Sequence, residues 1–150
     1  MNIERFLKNP KDKTVIIICG PTAVGKTSVS IGLAKHFHTE IISADSRQCF
    51  RELKIGVARP PDEELKEVPH HFIASNSIKE NINAAFFEQF ALQKAEELFK
   101  THDIIFMVGG TGLYIKAFCE GLDEIPSIDE TIRTNIIDLY RTLNYKKLSL

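Results

Sequence analysis

The sequence predicts an α/β fold, a parallel sheet flanked by helices, on three observations. Two short apolar runs, Thr14 to Cys19 (TVIIIC) and Asp103 to Val108 (DIIFMV), are rich in β-branched residues and bounded by turn residues, the pattern of strands buried on both faces. Segments with helical periodicity alternate with them. Each run also ends in a glycine-bearing loop, and in open parallel sheets ligands bind beyond the carboxyl ends of the strands.

The elements follow in order. After TVIIIC comes the loop Gly20 to Thr27, and a helix is expected from near Lys26 to about Phe37, with Val29, Leu33 and Phe37 on one face. Glu40 to Ser43 is a second short strand, ending just before Asp45. Residues Ser46 to Ser77 contain Pro60, Pro61 and Pro69 without sustained periodicity, so they are expected to be mainly loop with one helical turn. Asn83 can cap a long helix whose apolar face is Phe87, Phe90, Ala91, Ala95 and Leu98, and the cluster Phe86, Phe87, Phe90 is expected in the core. DIIFMV leads into Gly109-Gly110-Thr111-Gly112, then a helix from Leu113 to Glu120 that Gly121 stops. Ser127 and Glu130 have capping-box spacing, and Ile132, Ile136, Leu139, Tyr140 and Leu143 make a helical stripe behind them.

Composition limits the functional classes. A chain of 150 residues with 43% hydrophobic and 26% charged residues suits one soluble domain, and a net charge of −1 excludes a polybasic chain without excluding a local basic groove. Cys19, Cys49 and Cys119 are scattered and odd in number, which argues against a disulfide framework or a structural zinc site. The first thirteen residues lack the apolar core of a signal peptide, and the longest apolar run is far too short to span a bilayer. The expected compartment is the cytoplasm, with no membrane partner.

Gly20-Pro21-Thr22-Ala23-Val24-Gly25-Lys26-Thr27 matches the phosphate-binding pattern GxxxxGK[ST] at every fixed position. Its glycines let several backbone N–H groups converge on one anion, and the helix start adds its dipole. Lys26 supplies a point charge to the terminal phosphate, and the Thr27 hydroxyl can ligate Mg²⁺. ATP is the habitual ligand of such a loop. Hydrolytic and kinase P-loops, however, use an apolar strand ending in an Asp that holds the metal, whereas the run here ends in Val108-Gly109-Gly110-Thr111. The acid nearest the loop in the expected architecture is Asp45, which could ligate the metal, accept a proton from an attacking nucleophile, or simply cap a turn.

Three segments read together narrow the choice. GPTAVGKT (Gly20 to Thr27), ISADSRQ (Ile42 to Gln48) and VGGTGLY (Val108 to Tyr114), in this order, resemble the signature of tRNA dimethylallyltransferases, and Ile55 to Pro60 and Val68 to His71 resemble that family's intervening stretch. The resemblance implies a P-loop NTPase-like core over residues 1–122 and, over 123–150, the start of a helical insertion that grips tRNA. It implies that Thr22 to Thr27 hold the diphosphate of dimethylallyl diphosphate with Mg²⁺, and that the acceptor is the N6 amine of adenosine 37 in the anticodon stem-loop of tRNA. Asp45 matches the family's general base, Asp45, Ser46, Arg47 and Gln48 the segment meeting the flipped adenosine, and Thr111 and Arg133 positions that touch tRNA. Family members are longer, so the chain is expected to be a piece of a longer enzyme. Gln48, with an amide donor and acceptor, suits an adenine edge, but a solvated loop residue is the plain alternative. Arg47 is most simply a surface arginine, and His70 and His71 lack further ligands at metal spacing. A small-molecule or nucleotide kinase and an inactive phosphate-binding module are the competing functions.

Overall fold

The computed structural model describes residues 12–123 and 128–142. These form strands β1 (Thr14–Cys19), β2 (Ile41–Ser43), β3 (His70–His71) and β4 (Ile104–Gly109), with helices α1 (Lys26–Phe37), α2 (Asp62–Glu67), α3 (Ala84–Leu98), α4 (Gly112–Glu120) and α5 (Glu130–Thr142). The sheet is parallel throughout in the order β1-β4-β2-β3. All its carboxyl ends therefore point the same way, and the loops after β1, β2 and β4 meet at one end of the sheet.

β4 explains why a continuous apolar run is needed at the centre. Ile104 and Phe106 face α1 and pack with Ile31, Ala34, Ile41 and Val68, while Ile105 and Met107 face α3 and α4 among Phe72, Phe87, Ala91 and Tyr114. Period-two alternation thus places apolar residues in two cores at once. On the α3 side Phe87 stacks on Tyr114 with ring centroids 4.4 Å apart, and Phe72 meets Phe90 at 4.9 Å. Burial pushes the Tyr114 hydroxyl pKa above its ordinary value.

Several expectations need correction. β1 is half-buried rather than buried on both faces, because it pairs with β4 on one side and stands at the edge of the described sheet. On α1 the inward face is Ser30, Ile31 and Ala34, with Leu33 and Phe37 partly buried, and Val29 points outward at 55% exposure. Ser30 can occupy the core because its hydroxyl donates to the Thr27 carbonyl at 2.7 Å, leaving no unpaired polar group. Phe86 lies at the core's rim, 39% exposed, where Phe87 is fully enclosed.

The strand β3 has no counterpart in the sequence reading. Two histidines after a proline give no apolar run; they become a strand through Ile41 N–H donating to the Pro69 carbonyl at 3.0 Å and through the register Ile41↔His70, Ile42↔His71. The His71 ring and the Glu40 carboxylate, 2.5 Å apart, tie the same edge together. Other punctuation falls where predicted: the Asn83 side chain accepts from Phe86 N–H, and Gly121, at φ 79°, ends α4. α5 is helical and exposed along its described length, with Asp129 capping Thr131 N–H at 2.8 Å. Ser127 and Leu143 lie outside the described residues.

Candidate active site

The loop after β1 is curled by three positive φ angles, at Gly20 (152°), Ala23 (68°) and Gly25 (87°). The two glycines adopt them at little cost, while Ala23 carries a Cβ in a region that non-glycine residues seldom visit. Gly25 caps α1 without any side chain, so no capping group competes for the first N–H groups of the helix. The Lys26 ammonium folds back across the loop and donates to the Pro21 carbonyl at 2.6 Å. The next residue, Thr27, is half-buried and lines the same space.

Beyond β2 the chain stays fastened to the end of β4. Ala44 N–H donates to Val108 C=O at 2.8 Å, and Thr111 N–H donates to Ala44 C=O at 3.2 Å. This closeness demands glycine at position 109, where a Cβ would stand 2.1 Å from the Ala44 carbonyl oxygen. Gly109 thus admits a neighbouring backbone, and Gly109 and Gly110 also line the cavity. Thr111 secures the crossing: its hydroxyl accepts from Ser46 N–H at 3.0 Å and donates to the Ser46 hydroxyl at 3.3 Å.

Asp45 caps a turn, one of the roles the sequence left open, and also faces the cavity. Its Oδ1 accepts from Arg47 N–H (2.9 Å) and Gln48 N–H (3.2 Å), so the carboxylate caps the following turn. Its Oδ2 has no hydrogen bond among the described residues, and Asp45 lines the cavity. Gln48 also lines it, with one amide N–H given to the Ala58 carbonyl at 2.7 Å and the amide oxygen left over for a ligand.

The cavity measures about 330 Å³. The P-loop and α1 contribute Thr22, Ala23, Gly25, Lys26, Thr27 and Ser30; the β2 end contributes Ser43, Asp45 and Gln48. Its far wall, from Ala58, Pro60, Glu64, His70 and Ile73, belongs to the segment that sequence reads as loop. Arg59 holds that wall in place, its guanidinium donating to the Phe50 and Leu53 carbonyls. Nothing in a proline-bearing stretch signals this role, because the partners are backbone atoms.

The remaining predicted residues are distributed around this space. Gly20 and Pro21 line an adjoining depression with Cys19 and Cys119, and Val24 is exposed. Ser46 and Thr111 are bonded to one another at the rim, Arg47 is exposed, and Arg133 lies on exposed α5; none of the four lines the cavity. Cys49, buried beneath the turn, has its thiol pKa pushed up to about 11 by burial, so it is inert packing. His70 donates Nδ1–H to the Val68 carbonyl at 2.8 Å, and its Nε2 is buried without a partner among the described residues. Burial holds the His70 pKa below its ordinary value.

The described residues contain no group of three or more His, Cys, Asp and Glu that could cage a metal ion. What they offer is oxygen at the cavity wall, from the Thr27 hydroxyl and the Asp45 carboxylate. That donor set fits Mg²⁺ shared with a ligand's phosphate oxygens and water, since this ion keeps much of its hydration.

Comparisons with known proteins agree in direction. The family model "IPP transferase" matches residues 48–149. The tRNA dimethylallyltransferase of Flavobacterium johnsoniae is 48% identical over 92% of this chain and 43% of its own length. That of Christiangramia forsetii is 55% identical over 81% of this chain and 40% of its own. Among solved structures, the tRNA isopentenylpyrophosphate transferase of Bacillus halodurans superposes with a TM-score of 0.72 at 35% identity, over 91% of this chain and 46% of that one. A eukaryotic dimethylallyltransferase captured acting on tRNA gives 0.69 at 27% identity, over 89% and 33%. The chain thus spans less than half the length of these relatives.

Proposed function

This chain belongs to the IPP transferase family, and from that premise we propose that it carries the donor and acceptor pocket of a tRNA dimethylallyltransferase. The observation that supports this most is the single cavity joining the P-loop to Asp45 and Gln48. A hydrolytic P-loop needs space for a nucleotide and a metal-holding strand-end acid. Here the strand beside β1 ends in Gly109, and the acid stands across the cavity at the end of β2.

In this reading the donor is dimethylallyl diphosphate, and residues Gly20 to Thr27 take its diphosphate. As the allylic C–O bond breaks, negative charge grows on the leaving group, where converging N–H groups and Lys26 stabilise it. Thr27 would help hold a Mg²⁺ ion, which would supply further charge compensation to the leaving group. The acceptor is the N6 amine of adenosine 37, a poor nucleophile whose proton passes to Asp45 as the new C–N bond forms. The base must leave its stack, which in single-stranded loop RNA costs on the order of a few kcal/mol. Ser46, Arg47, Gln48 and Thr111 at the rim then meet the anticodon loop. In this reading the described residues up to 122 belong to the P-loop core, and α5, with Arg133, to the helical part that reaches the tRNA.

The test is transfer of labelled prenyl groups from dimethylallyl diphosphate to unmodified tRNA. Asp45→Asn keeps an oxygen to cap the turn but cannot take the proton, so it is expected to lower transfer about 10²–10⁴-fold while the fold persists. Consumption of ATP with no label reaching RNA would replace this reading by that of a kinase.

A further inference from the structure

Ile73 is a half-buried apolar side chain that lines the cavity and belongs to neither hydrophobic core. The backbone on both sides of it is in the left-handed region, with Phe72 at φ 66° and Ala74 at φ 48°. Residues other than glycine seldom adopt that conformation. Each is fastened there separately. The Phe72 ring is buried against Phe87, Phe90 and Tyr114, and Ala74 N–H donates to the Gln48 carbonyl at 2.9 Å. The chain is thereby turned so that Phe72 enters the core and the next side chain, Ile73, reaches the cavity. Strain of this kind persists only where the surroundings over-determine it, and it gathers at ligand sites.

Strand order decides which part of the ligands Ile73 meets. The carboxyl ends stand in the order β1, β4, β2, β3. The P-loop follows β1, Asp45 follows β2 and Ile73 follows β3, and the register Ile42↔His71 brings the ends of β2 and β3 to similar heights. Thus β2 lies two strand spacings, roughly 10 Å, from β1 and one spacing, roughly 5 Å, from β3. In a displacement the leaving group and the nucleophile stand on opposite sides of the carbon attacked. With diphosphate at the β1 end and the amine at Asp45, the prenyl carbons occupy the interval over β4. The body of the acceptor base then extends from its amine towards β3, where Ile73 stands. Gln48 is on the same side, tied to this wall through its carbonyl to Ala74 and through its amide N–H to the Ala58 carbonyl. An extruded base is held by hydrogen bonds to its edge and by apolar contact with its face, and these two residues offer one of each.

We propose that Ile73 is the shelf for the acceptor base, its side chain packing on the flat face of the extruded purine while Gln48 meets the edge. It fixes the plane of the base, and with it the angle at which the amine faces the allylic carbon. This rests on the donor and acceptor reading of the cavity given above.

The test follows the Ile73 δ1-methyl resonance of the wild-type chain by NMR, a readout independent of any variant's folding. The probes are inorganic pyrophosphate, dimethylallyl diphosphate and unmodified anticodon stem-loop RNA. RNA added to the pyrophosphate-bound chain should shift the methyl and give it cross-relaxation with adenine protons. The same RNA with an abasic site at position 37 should leave the methyl where pyrophosphate put it. Ile73→Ala, which disturbs neither core, should bind the adenosine-bearing RNA about 10-fold more weakly, the scale of one methylene lost from an apolar contact. Its affinities for the abasic RNA and for pyrophosphate should be unchanged, and Ile73→Leu should recover most of the loss. A methyl shifted by dimethylallyl diphosphate but not by RNA would put the prenyl chain on this wall and overturn the proposal. A methyl that neither ligand moves, or equal losses for the two RNAs in Ile73→Ala, would overturn it as well. Failure of the wild type to bind pyrophosphate and adenosine-bearing RNA alike would instead remove the donor and acceptor reading itself.

Discussion

β1 and β4 are two six-residue apolar strands in register from Thr14↔Ile104 to Cys19↔Gly109, yet they live in different surroundings. Ile104 to Met107 are buried, whereas Thr14 to Ile18 are all half-buried and Cys19 is exposed. The sequence signal is nearly the same in both. Apolar continuity reports a strand suited to two covered faces, while the burial achieved depends on what flanks it. β4 has β1 on one side and β2 on the other; β1 has β4 alone among the described strands.

The strongest way to break this comparison is to remove the same atoms from each strand. Ile105→Ala empties a fully enclosed site and should cost about 4 kcal/mol, while Ile17→Ala should cost about half as much, because part of its surface already meets solvent. Equal shifts in urea midpoint at unchanged slope would show that β1 is covered in solution. The register partners Gly109 and Cys19 sharpen the contrast. Gly109→Ala drives a methyl into the Ala44 carbonyl and is expected to cost about 3 kcal/mol or more, whereas Cys19→Ala should be nearly neutral by the same measurement. Asn83→Ala removes a helix cap remote from both strands and should cost about 1 kcal/mol. Hydrogen exchange should then accelerate in α3 while the β1–β4 difference persists.

The smallest expected effect lies at the other edge. Because the folded-state pKa of His70 is lowered, its contribution to stability is complete above the ordinary histidine pKa, about 6.5. It is lost as pH falls from there through the folded-state value, since the unfolded chain binds the proton first. Melting temperature measured from pH 7.5 to 5 should decline less in His70→Gln than in the wild type. A parallel decline would assign the acid sensitivity to other groups.

How much could be read in advance follows from where the causes lie. The P-loop, the span Lys26–Phe37, β4 and the inner face of α3 announce themselves, because each is encoded by local residue type at a fixed spacing. Apolar spacing puts Val29 on the wrong face of α1, since the inward side includes a serine that satisfies its own hydroxyl. β3 and the far wall of the cavity were illegible for a different reason. Residues 48–73 are shaped by side chains bonded to distant carbonyls, Arg59 to Phe50 and Leu53 and Gln48 to Ala58, and by the positive φ of Gly56 and Phe72. Neither leaves a periodic trace. Asp45 was legible as a residue, but its division between a capping oxygen and a second, unengaged one is visible in geometry alone.

The bond from Lys26 to the Pro21 carbonyl has a consequence for how tightly an anion can be held. The loop is self-ligated: its cation has an internal acceptor that helps keep the curl in shape. An arriving phosphate does not meet a dangling ammonium but displaces a neutral carbonyl, so affinity reflects the gain of a charge-assisted hydrogen bond over an ordinary one. In return, little loop ordering is left for the moment of binding. Such a site exchanges one acceptor for another, so an anion can be taken up or given back with little rearrangement of the loop.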